Sequence, residues 1–308
     1  MERKISFNDV TKAVEEAFEQ FKSDKEGAVD PRVQGDSKPD SFGISVTLAD
    51  GRTFDKGDTT IQVPLGPVAK LPLSLVLMSQ NRGDELFNKS CCCGCKKDAR
   101  PDIELPFGKH GLRTVSAIVP QGDPDGKFKV ITDMVYALTA SERGFSDSLY
   151  NYYTSTIKAN NIVENLTNAG ARLYDDVAQS LDVYARVLSL KLSVSQMSVM
   201  GATVAADGRN PVNGEYAFDG KYAAPAVAMM ASHGKHFIKR WIVKTGLPAK
   251  KSFTGAMLAV LLGFGAIAAY SPEINERGVP VKAAKAIAYI AEKLGLNVFA
   301  SARVCVDK

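Results

Sequence analysis

The chain has 308 residues, 45% of them hydrophobic and 23% charged, with a net charge of +4. These proportions fit one large globular domain or two closely packed ones, and they exclude disorder, a collagen-like repeat and a disulfide scaffold. So small a positive excess does not mark nucleic acid as a partner.

Met1-Glu2-Arg3-Lys4 opens onto an amphipathic pattern, with no apolar run of the secretory kind. Residues 7–24 predict a helix, with Val10, Ala13, Val14, Ala17, Phe18 and Phe21 at helical spacing and Ser6 or Asn8 as its cap. Pro31, Gly35 and Pro39 make residues 25–40 a loop. Phe42–Leu48, Asp50-Gly51 and Arg52–Phe54 predict a hairpin, because Asp-Gly between two strand-like runs supplies the positive φ of a tight turn. The apolar run 67–80 predicts a buried helix with a faulty start, since Pro72 should kink it or delay it. Residues 81–126 read as irregular and 145–235 as mainly helical. Ala256–Leu262 and Gly265–Tyr270 predict two strands joined at Gly263-Phe264, and Val281–Leu294 a final helix. The longest apolar stretch, Gly255–Tyr270, falls short of the roughly 20 residues of a membrane span, so no span is expected. The expected location is the cytoplasm or the interior of an organelle.

Cys91, Cys92, Cys93 and Cys95 crowd one window, with Cys305 far away. Adjacent thiols leave little room for one chain to close a tetrahedral metal site. A site shared by two chains, an inter-chain disulfide or a plain reduced loop are the readings. His110, His233 and His236 are too few and too scattered for a metal centre, and no phosphate or dinucleotide loop appears. No metal and no cofactor is expected.

Strands near both ends with helices between them suggest an α+β fold, its sheet built from both ends of the chain. The run Gly246-Leu247-Pro248-Ala249-Lys250, then a strand pair ending in Ala268-Ala269-Tyr270-Ser271-Pro272, then Gly278 and a last helix, resembles the serine-dependent glutaminases, relatives of the β-lactamases and penicillin-binding proteins. Phe42–Gly51 with Lys56-Gly57-Asp58 is similar to that family's N-terminal hairpin, and Tyr184 through Ser193 to its tyrosine-containing helix. The resemblance implies a three-layer α/β/α sandwich, a mixed sheet covered by helices, with a helical subdomain. It makes 1–308 a single domain, in which about 25–66 and 240–308 form the sheet layer and about 67–239 the mainly helical part.

The resemblance also implies a serine-x-x-lysine pair, whose lysine falls on Lys70 and whose serine falls on Pro67. Proline has no hydroxyl to attack an amide carbonyl. Ser74, one turn after Lys70, would reverse the order of nucleophile and base. Tyr184 falls on the family's second proton relay, or is simply a core tyrosine. The substrate-binding positions fall on Lys109, Asn160 (or Asn161), His236, Lys250 and Phe253, mostly substituted, with the glutamate position near Tyr153 or Thr154. Lys70, Lys109, Lys250 and Lys251 could form a basic cleft for a small molecule or anion. The expectation from these substitutions is an inactive glutaminase homologue with a structural, self-assembling or binding role, most simply a homo-oligomer. The alternatives are an active glutaminase releasing ammonia from L-glutamine through a rearranged site, and a thiol- or metal-dependent assembly protein using the Cys91–Cys95 loop.

Overall fold

The computed structural model describes residues 5–83, 109–168, 173–232 and 236–300. Helix α1 (Phe7–Phe21) starts on a capping box. Ser6 Oγ accepts from the Asp9 amide, and the Asp9 carboxylate accepts from the Ser6 amide. Ser6 is therefore the cap, and the helix stops at Phe21 rather than at 24. Strand β1 (Ala28–Val29) and a 3-10 turn, Pro31–Val33, precede the hairpin β2 (Gly43–Leu48) and β3 (Thr53–Gly57). Its turn carries Gly51 at φ +94°.

Strand β4 (Gln62–Pro64) enters a 3-10 turn, Gly66–Ala69, that runs into α2 (Lys70–Ser79). Pro67 lies in the first turn of the one and Pro72 in the first turn of the other, where an amide has no partner within the helix. The predicted delay is thus the 3-10 turn. Residues Leu71–Met78 are all buried, as a helix apolar on every side must be.

The stretch read as irregular contains α3 (Lys109–Ala117) and the start of α4 (Pro124–Thr139). Gly111 interrupts the short apolar pattern of the first. The second begins at a cap, Asp123 Oδ1 accepting from the Gly126 amide, with Pro124 just inside it. Strand β5 (Gly144–Phe145), α5 (Asp147–Ala159), α6 (Ile162–Asn168) and α7 (Val177–Leu188) follow. The segment taken as the continuation of the tyrosine helix is instead strand β6 (Leu190–Ser193), with Leu190 and Leu192 buried by alternation. Strands β4, β6 and β5 form a small sheet in that order. The chain continues through α8 (Val194–Ala205), α9 (Ala223–Ser232), α10 (His236–Thr245), β7 (Ala249–Lys251), β8 (Ala256–Leu261), β9 (Gly265–Tyr270), β10 (Glu273–Ile274) and α11 (Val281–Leu294).

The main sheet has the order β3-β2-β9-β8-β7, and every pairing is antiparallel, where a mixed sheet was expected. One face, Ile44, Val46, Met257, Ala259, Ile267 and Ala269, packs with α1 and α11 into one core. The opposite face, Leu258, Val260, Ala266 and Ala268, packs with Met197, Met200 and Val204 of α8 into a second core, shared with the helical part. Ser45 and Thr47 of β2 also face α8, and both bond Ser198 Oγ at 2.7 Å, so the buried hydroxyls are partnered. The sandwich of helices, sheet and helices agrees with the α+β expectation. Among the described residues no helix is long and apolar enough to cross a membrane.

Candidate active site

The head of α2 meets strand β7. Gly66, at φ +48°, lies against β7's C-terminal end, and a Cβ there would collide with Ser252 Oγ. Lys70, the first residue of α2, therefore lies beside the strand that carries Lys250. Lys70 Nζ has no hydrogen-bond acceptor and no carboxylate among the described residues, and burial pushes its amine below the ordinary lysine value. Lys250 Nζ donates to the carbonyls of Met229 at 3.2 Å and Met230 at 3.3 Å, near the end of α9. Burial brings the Lys250 amine down to about 7, and the charge of Lys70 adds to the effect. Lys251, the next residue along the strand, points the other way. Its Nζ donates to the Arg277 and Gly278 carbonyls at 2.8 and 2.7 Å and lies over the Phe237 ring, with burial lowering it to about 8. Of the expected basic cleft, then, Lys70 and Lys250 come together and Lys251 does not.

The nearby hydroxyls are already committed. Pro67 supplies none. Ser74 Oγ donates to the Lys70 carbonyl at 2.8 Å, which does not suit it to act as a nucleophile. Ser252 and Thr254 are fully buried and bond each other at 2.7 Å, while Thr254 Oγ1 donates to the Pro64 carbonyl. The Thr254 amide completes the knot on Ser252 Oγ at 3.1 Å.

Tyr184 of α7 is wholly buried, and its phenol is pushed up by burial and by Tyr153, so it stays neutral across the physiological range. Gly111 of α3 lies against it, and a Cβ at that glycine would run into the Tyr184 ring and hydroxyl. Tyr153, on α5 close to where the family's glutamate position falls, is also buried with its phenol pushed up. Phe253, between β7 and β8, stacks under the Arg32 guanidinium at 3.9 Å. Arg32 in turn forks onto Asp30, through Nε to Oδ1 at 2.7 Å and Nη2 to Oδ2 at 2.5 Å. Residues 25–40 carry no periodicity, so nothing in the sequence singled out Arg32.

Asn160 ends α5 exposed, its amide donating to the Thr156 carbonyl at 2.9 Å. Lys109 opens α3 and His236 opens α10, but their side chains lie outside the described residues, as do Cys91, Cys92, Cys93, Cys95 and Cys305.

A family model described as Glutaminase matches residues 97–299. Proteins named Glutaminase from Parabacteroides distasonis and Bacteroides thetaiotaomicron are 29% and 31% identical to this chain, each match covering 99% of both proteins. The chain belongs to the glutaminase family. The solved structure of the probable glutaminase YbaS superposes with a TM-score of 0.84 at 25% identity, covering 96% of this chain and 100% of that one. This whole-length agreement with proteins named Glutaminase overturns the inactive, structural reading drawn from Pro67. Proline removes one side-chain nucleophile. It leaves the glutaminase fold and the amine of Lys70 in place.

Proposed function

We propose that the protein is an amidohydrolase that hydrolyses the side-chain amide of L-glutamine to L-glutamate and ammonia. The observation that carries this reading is the Lys70 amine, half-buried at the head of α2 and without a carboxylate among the described residues to hold it charged. Two desolvated amines side by side resist carrying two protons, so they share one. The division of roles then follows: Lys70 is the neutral base, and Lys250, held by the Met229 and Met230 carbonyls, keeps the proton.

With no hydroxyl at position 67, the nucleophile is water. Its oxygen attacks the amide carbon as Lys70 Nζ takes its proton. The charge that develops on the carbonyl oxygen faces the Lys250 ammonium. The carbon–nitrogen bond then breaks as Lys70 returns that proton to the departing nitrogen, and ammonia leaves. Whole-length similarity to proteins named Glutaminase supports L-glutamine as the substrate.

The test is release of glutamate and ammonia from L-glutamine by the purified protein. Equal amounts of both are expected, with kcat/KM falling about 100-fold or more in Lys70→Ala, the size of a lost general base. No release by the wild-type protein, or release undiminished in Lys70→Ala, would overturn the reading.

A further inference from the structure

We infer that Arg32 is a specificity residue that receives the α-carboxylate of the substrate, so that the site selects a free amino acid. The assignment rests on L-glutamine being the substrate. Lys70 and Lys250 then attend the amide end, and the zwitterionic end needs a group of its own. Asn160 does not supply it, since its side chain bonds its own helix. Arg32 is fixed in both plane and direction. Its guanidinium face lies 3.9 Å over the Phe253 ring. One edge is forked onto Asp30, with Nε to Oδ1 at 2.7 Å and Nη2 to Oδ2 at 2.5 Å, and Asp30 Oδ1 also accepts from the Arg32 amide at 2.9 Å. Asp30 is thus a positioning residue. A guanidinium has five N–H donors, and Asp30 takes two of them. The Nη1 hydrogens and the second Nη2 hydrogen meet no acceptor among the described residues. They make an end-on fork of the kind that matches a carboxylate.

The placement suits the task. The Arg32 side chain is 30% exposed and that of Asp30 only 9%, so a solute reaches the guanidinium rather than the carboxylate behind it. Phe253 is the third residue after Lys250, which puts their backbones at most about 10 Å apart. Ser252, just before Phe253, lies against Gly66 ahead of α2, so the same turn borders the lysine pair. Four carbon–carbon bonds separate the amide carbon of L-glutamine from its carboxylate carbon, about 5 Å end to end. The Lys250 and Arg32 side chains have the length to span the remainder. A zwitterion also adds no net charge to the Arg32–Asp30 pair, whereas a simple anion would leave an excess negative charge in a partly buried place.

The test reads binding, so it needs no turnover. Calorimetry compares L-glutamate, the reaction product, with its α-amide, which keeps the α-ammonium and the side-chain carboxylate and exchanges only the α-carboxylate for a neutral amide. The wild-type protein should bind L-glutamate about 10- to 100-fold more tightly than the α-amide, the size of a lost hydrogen bond between charged groups. In Arg32→Met the two ligands should bind equally, because L-glutamate falls to the level of the amide, and Arg32→Lys should restore part of the difference. A ratio taken within one protein does not depend on how much of a variant folds, and the wild-type ratio needs no variant. No L-glutamate binding by the wild-type protein, equal binding of both ligands by it, or a ratio unchanged in Arg32→Met would overturn the inference. An Arg32-dependent ratio in a wild-type protein that releases no ammonia from L-glutamine would sink the hydrolase reading and uphold this one.

Discussion

Lys250 makes a measurable statement about pH at the scale of one residue. Its amine titrates near 7 in the folded chain, and an unfolded lysine titrates near 10.4. Between those values the unfolded state binds more protons, so stability from this group rises with pH across that window and is flat below it. Replacing Lys250 by Met removes the titration. The wild-type Tm should therefore gain more between pH 7 and pH 10 than that of Lys250→Met, which thermal unfolding across the range would check. Equal gains would mean that Lys250 is solvated. Lys251, brought down to about 8, contributes in the same direction and remains in both proteins.

Helix α3 is docked by a missing side chain. Gly111 lets it lie flush on Tyr184 of α7, and a single methyl there meets an aromatic ring that is fully buried. Gly111→Ala should destabilise the protein by about 1–3 kcal/mol, the usual effect of overpacking, seen as a lower midpoint in urea at unchanged slope. An unchanged midpoint would show that α3 can shift freely on α7. The same helix shows why part of the fold was hidden in the sequence. Its cue is Leu112, Val115 and Ala117 around a glycine, too short to show a period. Strand β6 was hidden for a similar reason, its four residues following directly on a helix. Longer patterns were legible: α1, the Asp-Gly hairpin, β8, β9 and α11 stand where their periodicity placed them. Of the candidate site, Lys70 and Lys250 could be read from family spacing and do lie together. Their lowered proton affinity could not, because desolvation comes from three-dimensional packing. Arg32 over Phe253 joins a loop to a turn far along the chain, a pairing that no local pattern announces.

At the scale of the molecule, the two ends of the chain are bound to each other. Strands β1 and β10 pair through Ala28 and Ile274, and α1 packs along α11 against the same sheet face. Lys282, almost wholly buried, joins this seam. Its Nζ lies 3.2 Å from Glu273 Oε2, while Glu273 Oε1 accepts from the Asp40 amide at 2.9 Å. Removing one member of a buried pair strands the other charge, so Lys282→Met should lower stability by about 3 kcal/mol. The double change Lys282→Met with Glu273→Gln should recover part of that loss in the same denaturation experiment. A double variant no better than the single would place the effect in packing.

The register of the main sheet sets a timetable for the nascent chain. Ile44 of β2 pairs with Ala269 of β9, so this apolar strand has its central partner only after the long stretch of chain between them has been made. At translation rates of about 5–20 residues per second, that interval is on the order of ten seconds to most of a minute. Through that time the hairpin of β2 and β3 has only its own turn and α1 for shelter. The ribosome-bound chain is then exposed to aggregation, and slowing translation between β3 and β9 would lengthen the exposure.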